Sequence, residues 1–228
     1  MKRYIKNMDA LSMDEIQKLI QSRVCVIGCG GLGGYIVEML GRIGVGFITI
    51  IDGDVFNETN LNRQLVSHVD NIGLSKVGEA KKRMELVNPL IHIKAINTMI
   101  DGTNASLLLN DHDVIVDALD NIKTRIIVQS KSSELNIPLV HGAIGGFYGQ
   151  VTTIFPGDNT LDFLYPKNSR VEKGIEERLG NPSFIPTIIA SVQVAEVIKI
   201  LIDRGNLLRK KVLLIDLLEN SFDIIDIE

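Results

Sequence analysis

The stretch VCVIGCGGLGG, from Val24 to Gly34, sets an apolar strand directly before a glycine-rich turn. Gly28, Gly30 and Gly33 fit the pattern GxGxxG at the start of a helical segment, and Asp52 closes the next apolar strand about twenty residues on. Glycines at this spacing let the main chain approach phosphates that face a helix N-terminus, and a carboxylate at the second strand end accepts hydrogen bonds from ribose hydroxyls. The context is that of a Rossmann-type nucleotide site; a plainer reading keeps the glycines for tight helix–sheet packing alone. The pattern does not choose between NAD and ATP, since both carry adenosine and phosphates.

Strand-length apolar runs alternate with segments of helical period along the first half of the chain, the pattern of βαβ units on a parallel sheet. VCVIG, FITIID, IHIKAIN, HDVIVDAL and IPLVHGA read as strands; GYIVEMLGRIG, SKVGEAKKRMELVNP (stopped at Pro89) and NIKTRIIVQSKSSELN read as helices. GQVTTIF then has antiparallel character, and KVLLIDLLENSFDIIDIE reads as a hairpin turning near Glu219 and Asn220. Between them, the polar segment from Gly157 to Ser183 predicts a mobile crossover loop. A helix from Ile185 to Asp203 follows, with Ile185, Ile188, Ile189, Val192, Ala195 and Ile198 on one face and a stop at Gly205. The expected fold class is α/β, a Rossmann-like doubly wound, mostly parallel sheet continued by antiparallel C-terminal strands. With 228 residues and 45% apolar composition, the chain is expected to form one domain over residues 1–228.

The residues after Asp52 do not suit hydride transfer. Asp54, the loop residues Asn60, Arg63 and Gln64, and Lys76 at a helix start supply the cationic and amide donors that a triphosphate needs as charge builds up. DVIVDALDN brings Asp117 and Asp120 to the carboxyl edge of the sheet, where ligands bind in open α/β folds. A carboxylate beside phosphates suggests Mg²⁺, with Asp120 the better placed ligand. Taken singly, each has a bland reading: Asp120 as the N-cap of the next helix, Arg63 and Lys76 as solvated surface cations.

The net charge of −4 gives no overall attraction to nucleic acid. Cys25 and Cys29 are the only cysteines, so a four-cysteine zinc site has no ligands; the composition fits a reduced cytoplasmic protein. No run approaches the ~18 uninterrupted apolar residues of a membrane span. Cys25 reads as core. Cys29 reads as a small residue under a bound nucleotide, so neither is assigned a catalytic role. His141 reads as structural rather than as lining a carboxylate channel, and His68, His92 and His112 as surface or loop residues.

GCGGLGG, VGFITIIDGDVFNETNLNRQ, GLSKVGEAKKRMELVNP, VIVDALDNIKTR, IPLVHGAIGGFYGQV and SVQVAEVIKIL together resemble the ThiF/MoeB/HesA family, the activating enzymes of ubiquitin-like proteins and sulfur carriers. The resemblance implies ATP-dependent adenylation of the C-terminal glycine carboxylate of a small β-grasp sulfur-carrier protein ending in Gly-Gly, in thiamine, molybdopterin or related sulfur metabolism. It implies Gly30 and Gly31 under the phosphates, Asp52 on the ribose, Asp54, Asn60, Arg63, Gln64 and Lys76 around the triphosphate, and Asp120 on Mg²⁺. It also implies a homodimer. In that family an N-terminal arginine, within a pattern like RYxRQ, often reaches the partner subunit's ATP. Here RYIKN puts Lys6 at that place, with Arg3 as a substitute and a frayed tail as the plain reading.

Many members of the family carry two CxxC zinc pairs and a cysteine nucleophile; residues 157–191 here contain no cysteine, so no zinc is expected. Relatives that adenylate a modified tRNA adenosine, the threonylcarbamoyladenosine dehydratases, form the alternative. A catalytically idle binding module and an NAD-linked oxidoreductase stand behind them.

Overall fold

In the computed structural model, which describes residues 2–166 and 179–227, the sheet of eight strands has the order β3-β2-β1-β4-β5-β6-β7-β8. The strands are β1 (Arg23–Ile27), β2 (Phe47–Ile51), β3 (His92–Ile96), β4 (Val114–Asp117), β5 (Leu139–Gly145), β6 (Tyr148–Ile154), β7 (Lys211–Asp216) and β8 (Ser221–Asp226). The five strands from β3 to β5 pair in parallel, and β6, β7 and β8 continue the sheet antiparallel. Apart from the exposed Arg23 at the start of β1 and the buried Asp117 at the end of β4, both strands are apolar and buried on both faces, as parallel strands between helical layers must be.

Helices α1 (Met13–Gln21), α2 (Gly31–Ile43), α3 (Lys76–Val87), α4 (Ala105–Leu109), α5 (Ile122–Glu134), α6 (Thr160–Leu164) and α7 (Phe184–Ile202) connect and cover the strands. Three of them go beyond the sequence reading. α1 starts on a capping box in which Ser12 Oγ accepts from Glu15 N at 3.2 Å and Glu15 Oε2 accepts from Ser12 N at 2.7 Å, and it buries Ile16 and Leu19. α4 buries Ala105 and Leu109. α6 lies inside the segment read as a loop from Gly157 to Ser183; residues 167–178 of that loop lie outside the described residues.

α7 corrects the expected apolar face. Ile185, Ile189 and Ile198 are buried, but Ala195 is exposed, and Gln193 and Glu196 are fully enclosed. Gln193 Nε2 donates to Asp117 O at 2.9 Å, while Glu196 Oε2 accepts from Thr153 Oγ1 at 2.5 Å and Leu208 N at 2.8 Å. Held by both donors, Glu196 can face inward at little cost, whereas Gln193 is held through its Nε2 alone and its Oε1 meets no donor among the described residues. α7 is long and apolar enough to cross a membrane, yet 56% of its most apolar window is buried inside this protein, and its packing is that of a core helix. It ends at Ile202 with Asp203 in the left-handed region (φ 53°), ahead of the expected stop at Gly205.

The N-terminal turn is not frayed. Tyr4 is buried and its hydroxyl accepts from Asn88 Nδ2 at 2.8 Å, while Arg3 Nη1 donates to the side chain of Asn88 and to Val87 O. Arg3 therefore ties the segment to the end of α3; both it and Lys6 are exposed. Two of the histidines read as surface or loop residues have partners there: His92, exposed on β3, stacks on Phe47, and His112, in the loop ahead of β4, is half-buried against Thr49 Oγ1 and Leu109 O.

Candidate functional site

β1, β2 and β4 end in register, with Ile27 opposite both Ile51 and Asp117, so the loops that follow them meet at one edge. There they wall a cavity with about 900 Å³ of non-atom space, open to solvent. Gly28 makes the turn at φ 92°, and a Cβ there would lie 2.6 Å from Ala118 O. A Cβ on Gly33 would lie 1.8 Å from Gly28 O, so the first turn of α2 folds onto the strand only when that side chain is absent. No side chain caps α2 at Gly30, which leaves its first amides for an anion.

Gly28, Gly30, Gly31, Asp52, Asp54, Arg63, Gln64, Lys76 and Asp120 all line this cavity. Two of the expected site residues do not. Gly33 serves the packing just described. Asn60 is buried with its Oδ1 accepting from Asn57 N at 3.0 Å, so it shapes the loop that carries Arg63.

Asp52 Oδ2 accepts from Cys29 N at 2.6 Å and Oδ1 from Asp54 N at 2.8 Å, which fixes the carboxylate between the glycine turn and the next loop while each oxygen keeps a second lone pair. Lys76 is buried at the first position of α3, and its Nζ meets Asp54 Oδ2 at 2.9 Å. Arg63 Nη1 donates to Thr59 O at 3.0 Å and Asn62 Oδ1 at 2.9 Å, so its guanidinium is held to its own loop. Neither cation is a loose surface charge. The N-cap of α5 is Asn121, whose Oδ1 accepts from Thr124 N at 3.0 Å. Asp120 is thereby spared that duty: its exposed carboxylate lies on the cavity and makes no hydrogen bond or ion pair among the described residues.

Asp117 does not reach the cavity. It is fully buried and accepts from His141 Nδ1 at 2.7 Å and Leu119 N at 2.9 Å. Cys29 is buried, and burial together with the Asp52 charge pushes its thiol up to about 12, the opposite of a nucleophile's requirement. Cys25, enclosed in β1, is pushed up as well.

Among the wall residues not singled out from the sequence are Arg125, Ile144 and Asn181. Arg125 sits inside the quoted segment VIVDALDNIKTR, and its burial on α5 is what marks it, since an arginine inside a core needs acceptors. Here they include Leu119 O and Tyr165 Oη, the latter at 3.1 Å from Nη1, and the Asp117 carboxylate lies 3.8 Å from Nε. Arg125 and Ile144 also line a second cavity, formed by Ala143, Tyr148, Gln150, Tyr165, Leu214 and Asp223 on the sheet face of β5 to β8. The two cavities adjoin through these shared residues.

A family model described as the ThiF family matches residues 2–228. The chain is 32% identical over 219 residues to the SAMP-activating enzyme E1 of Haloferax volcanii, covering 95% of this chain and 80% of that protein. It is 32% identical over 219 residues to the sulfur carrier protein adenylyltransferase of Thermus thermophilus, covering 90% and 79%. Among solved structures, the E. coli tRNA N6-threonylcarbamoyladenosine dehydratase in complex with ATP superposes with a TM-score of 0.76 at 22% identity, over 89% of this chain and 94% of that one, a likeness of fold. The glycine turn and the loops that wall the cavity thus lie in a chain matched by one family from residue 2 to residue 228, and this chain belongs to the ThiF family.

Proposed function

We propose that this chain is an adenylyltransferase that uses ATP to activate the C-terminal glycine carboxylate of a small ubiquitin-like sulfur-carrier protein, with residues 1–228 acting as one adenylation domain. The observation that carries the reading is the gathering of Arg63, Gln64, Lys76 and the uncapped start of α2 opposite a free Asp120 carboxylate, in a cavity that continues past Arg125 into a second one. The first cavity suits ATP and the second the tail of the carrier.

A carboxylate oxygen of the carrier attacks the α-phosphorus, a new O–P bond forms, and the bond to the bridging oxygen breaks as pyrophosphate leaves with its electron pair. In-line attack of this kind needs positioning and charge neutralisation more than covalent help. Gly30 and Gly31 let the main chain lie under the phosphates, Asp52 holds the ribose, and Arg63 and Lys76 meet the charge that builds on the phosphate oxygens. Arg125, at the junction, faces the incoming carboxylate. The donor set fits Mg²⁺, which keeps its waters and takes one or two carboxylates together with phosphates; Asp120 would hold it, and it would neutralise the departing pyrophosphate. Among the described residues no three His, Cys, Asp or Glu side chains gather to cage a metal.

The same reading makes the protein a cytoplasmic homodimer in which Lys6 reaches the partner's nucleotide. The test is ATP–pyrophosphate exchange with a carrier ending in Gly-Gly and, separately, with total tRNA. Exchange that needs the carrier and disappears in Arg63→Ala and Asp120→Ala, both still folded, supports the proposal. Exchange only with tRNA would replace the carrier by a nucleic-acid substrate, and exchange surviving both substitutions would remove the site assignment.

A further inference from the structure

Two carboxamide oxygens on the cavity wall, Gln64 Oε1 and Asn181 Oδ1, are buried and meet no donor among the described residues. Gln64 belongs to the loop already assigned to the nucleotide. Asn181 lies elsewhere in the chain, just ahead of α7.

The main chain around Asn181 is fixed from two sides. Gly146 N, in the turn between β5 and β6, donates to Gly180 O at 2.8 Å. Asn62 Nδ2 donates to Asn181 O at 3.1 Å, and Asn62 Oδ1 accepts from Arg63 Nη1 at 2.9 Å. One carboxamide, Asn62, therefore joins the Arg63 guanidinium to the backbone of Asn181. The same neighbourhood reaches the phosphate turn: a Cβ on Gly31 would lie 3.6 Å from Pro186 Cγ of α7 and 3.8 Å from Arg63 Cδ.

Its backbone is held, and with no donor to its oxygen among the described residues the half-buried Asn181 side chain lines the cavity. A buried acceptor without a donor is costly, and a carboxamide that turns about its terminal bond offers either an N–H donor or a carbonyl acceptor. We propose that Asn181 is a further nucleotide contact, its carboxamide hydrogen-bonding the phosphate end of bound ATP across from the first turn of α2. Asn62 is its positioning residue, keeping Asn181 and Arg63 at a fixed separation. The inference rests on the proposed nucleotide reading of this cavity.

The experiment measures ATP and a non-hydrolysable analogue by calorimetry and by thermal shift on the full chain, alongside exchange kinetics. Asn181→Ala is expected to melt at or above the wild-type temperature without nucleotide, because an unpaired polar group is removed, and to bind ATP about tenfold more weakly. Its KM for ATP should rise with the KM for the carrier unchanged. Asn181→Asp, which sets a charge beside the phosphates, should bind more weakly than Asn181→Ala. Asn62→Ala should raise the KM for ATP and lower kcat together, since it releases both Arg63 and Asn181. ATP binding by Asn181→Ala equal to wild type, or weakened only together with a lower melting temperature of the free protein, would overturn the assignment. A wild-type chain that ATP neither binds nor stabilises would instead remove the nucleotide reading itself.

Discussion

His141 donates its Nδ1 proton to Asp117 Oδ2 across 2.7 Å, and neither side chain touches solvent. Burial holds the imidazole below its usual proton affinity, against the opposing pull of the Asp117 hydrogen bond and charge. The neutral ring keeps its second nitrogen for the Tyr165 hydroxyl, at 3.3 Å. An unfolded chain takes up a proton here near the ordinary value of 6.5 while the folded one resists it. The contribution of this pair is therefore complete above that pH and is lost as the pH falls below it. Melting temperatures between pH 7.5 and 5.5 should drop for wild type, and His141→Gln, less stable by about 2–4 kcal/mol at pH 7.5, should lack that part of the drop.

Lys76 and Asp54 form an ion pair of unequal exposure, with side chains 8% and 56% exposed. Losing the lysine leaves a carboxylate already in water, whereas losing the carboxylate leaves a buried ammonium without its anion. Lys76→Met should keep a melting temperature close to wild type and lose exchange activity by about a hundredfold or more. Asp54→Ala should lose more stability than Lys76→Met, by about 1–3 kcal/mol in denaturant titrations.

Gly33 and Gly34 are neighbours on α2 with opposite tolerance. A methyl on Gly33 meets Gly28 O at 1.8 Å, while one on Gly34 meets Val66 Cγ2 at 3.5 Å, an ordinary contact. Gly33→Ala should cost about 2–4 kcal/mol and abolish nucleotide binding, and Gly34→Ala should stay within about 1 kcal/mol of wild type. Urea unfolding of the two variants provides the comparison.

Both thiols are enclosed and shifted away from the thiolate, Cys29 to about 12. A thiol reagent at pH 8 should label neither cysteine in the native chain and both after denaturation. Rapid native labelling of Cys29 would show that the glycine turn opens.

Much of the fold was legible in the chain. Strands buried on both faces cannot avoid a near-continuous apolar sequence, and the glycine spacing is dictated by backbone contact at Gly28 and Gly33. The start of α1 was also written there, in Ser12 and Glu15, and its buried side in Ile16 and Leu19. The apolar face of α7 was legible except at Ala195, which is exposed; the burial of Gln193 and Glu196 was not, because apolar spacing assumes a dry surface, and the sheet and the loop after α7 instead offer Asp117 O, Thr153 Oγ1 and Leu208 N.

The same division runs through the site. Loop position and residue type by themselves brought Asp52, Arg63, Gln64, Lys76 and Asp120 to one edge, because parallel strands deliver their following loops to the same end of the sheet. Only the tertiary structure decided which charges are already engaged. Asp117 and Asp120 stand three positions apart, yet His141, twenty-four residues further along and brought alongside by strand pairing, hydrogen-bonds the first and the Arg125 guanidinium lies 3.8 Å from it, while Asn121 takes over the helix cap and leaves the second without a partner among the described residues. A carboxylate's availability depends on the partners that folding places within hydrogen-bond reach, and sequence spacing does not carry that distance.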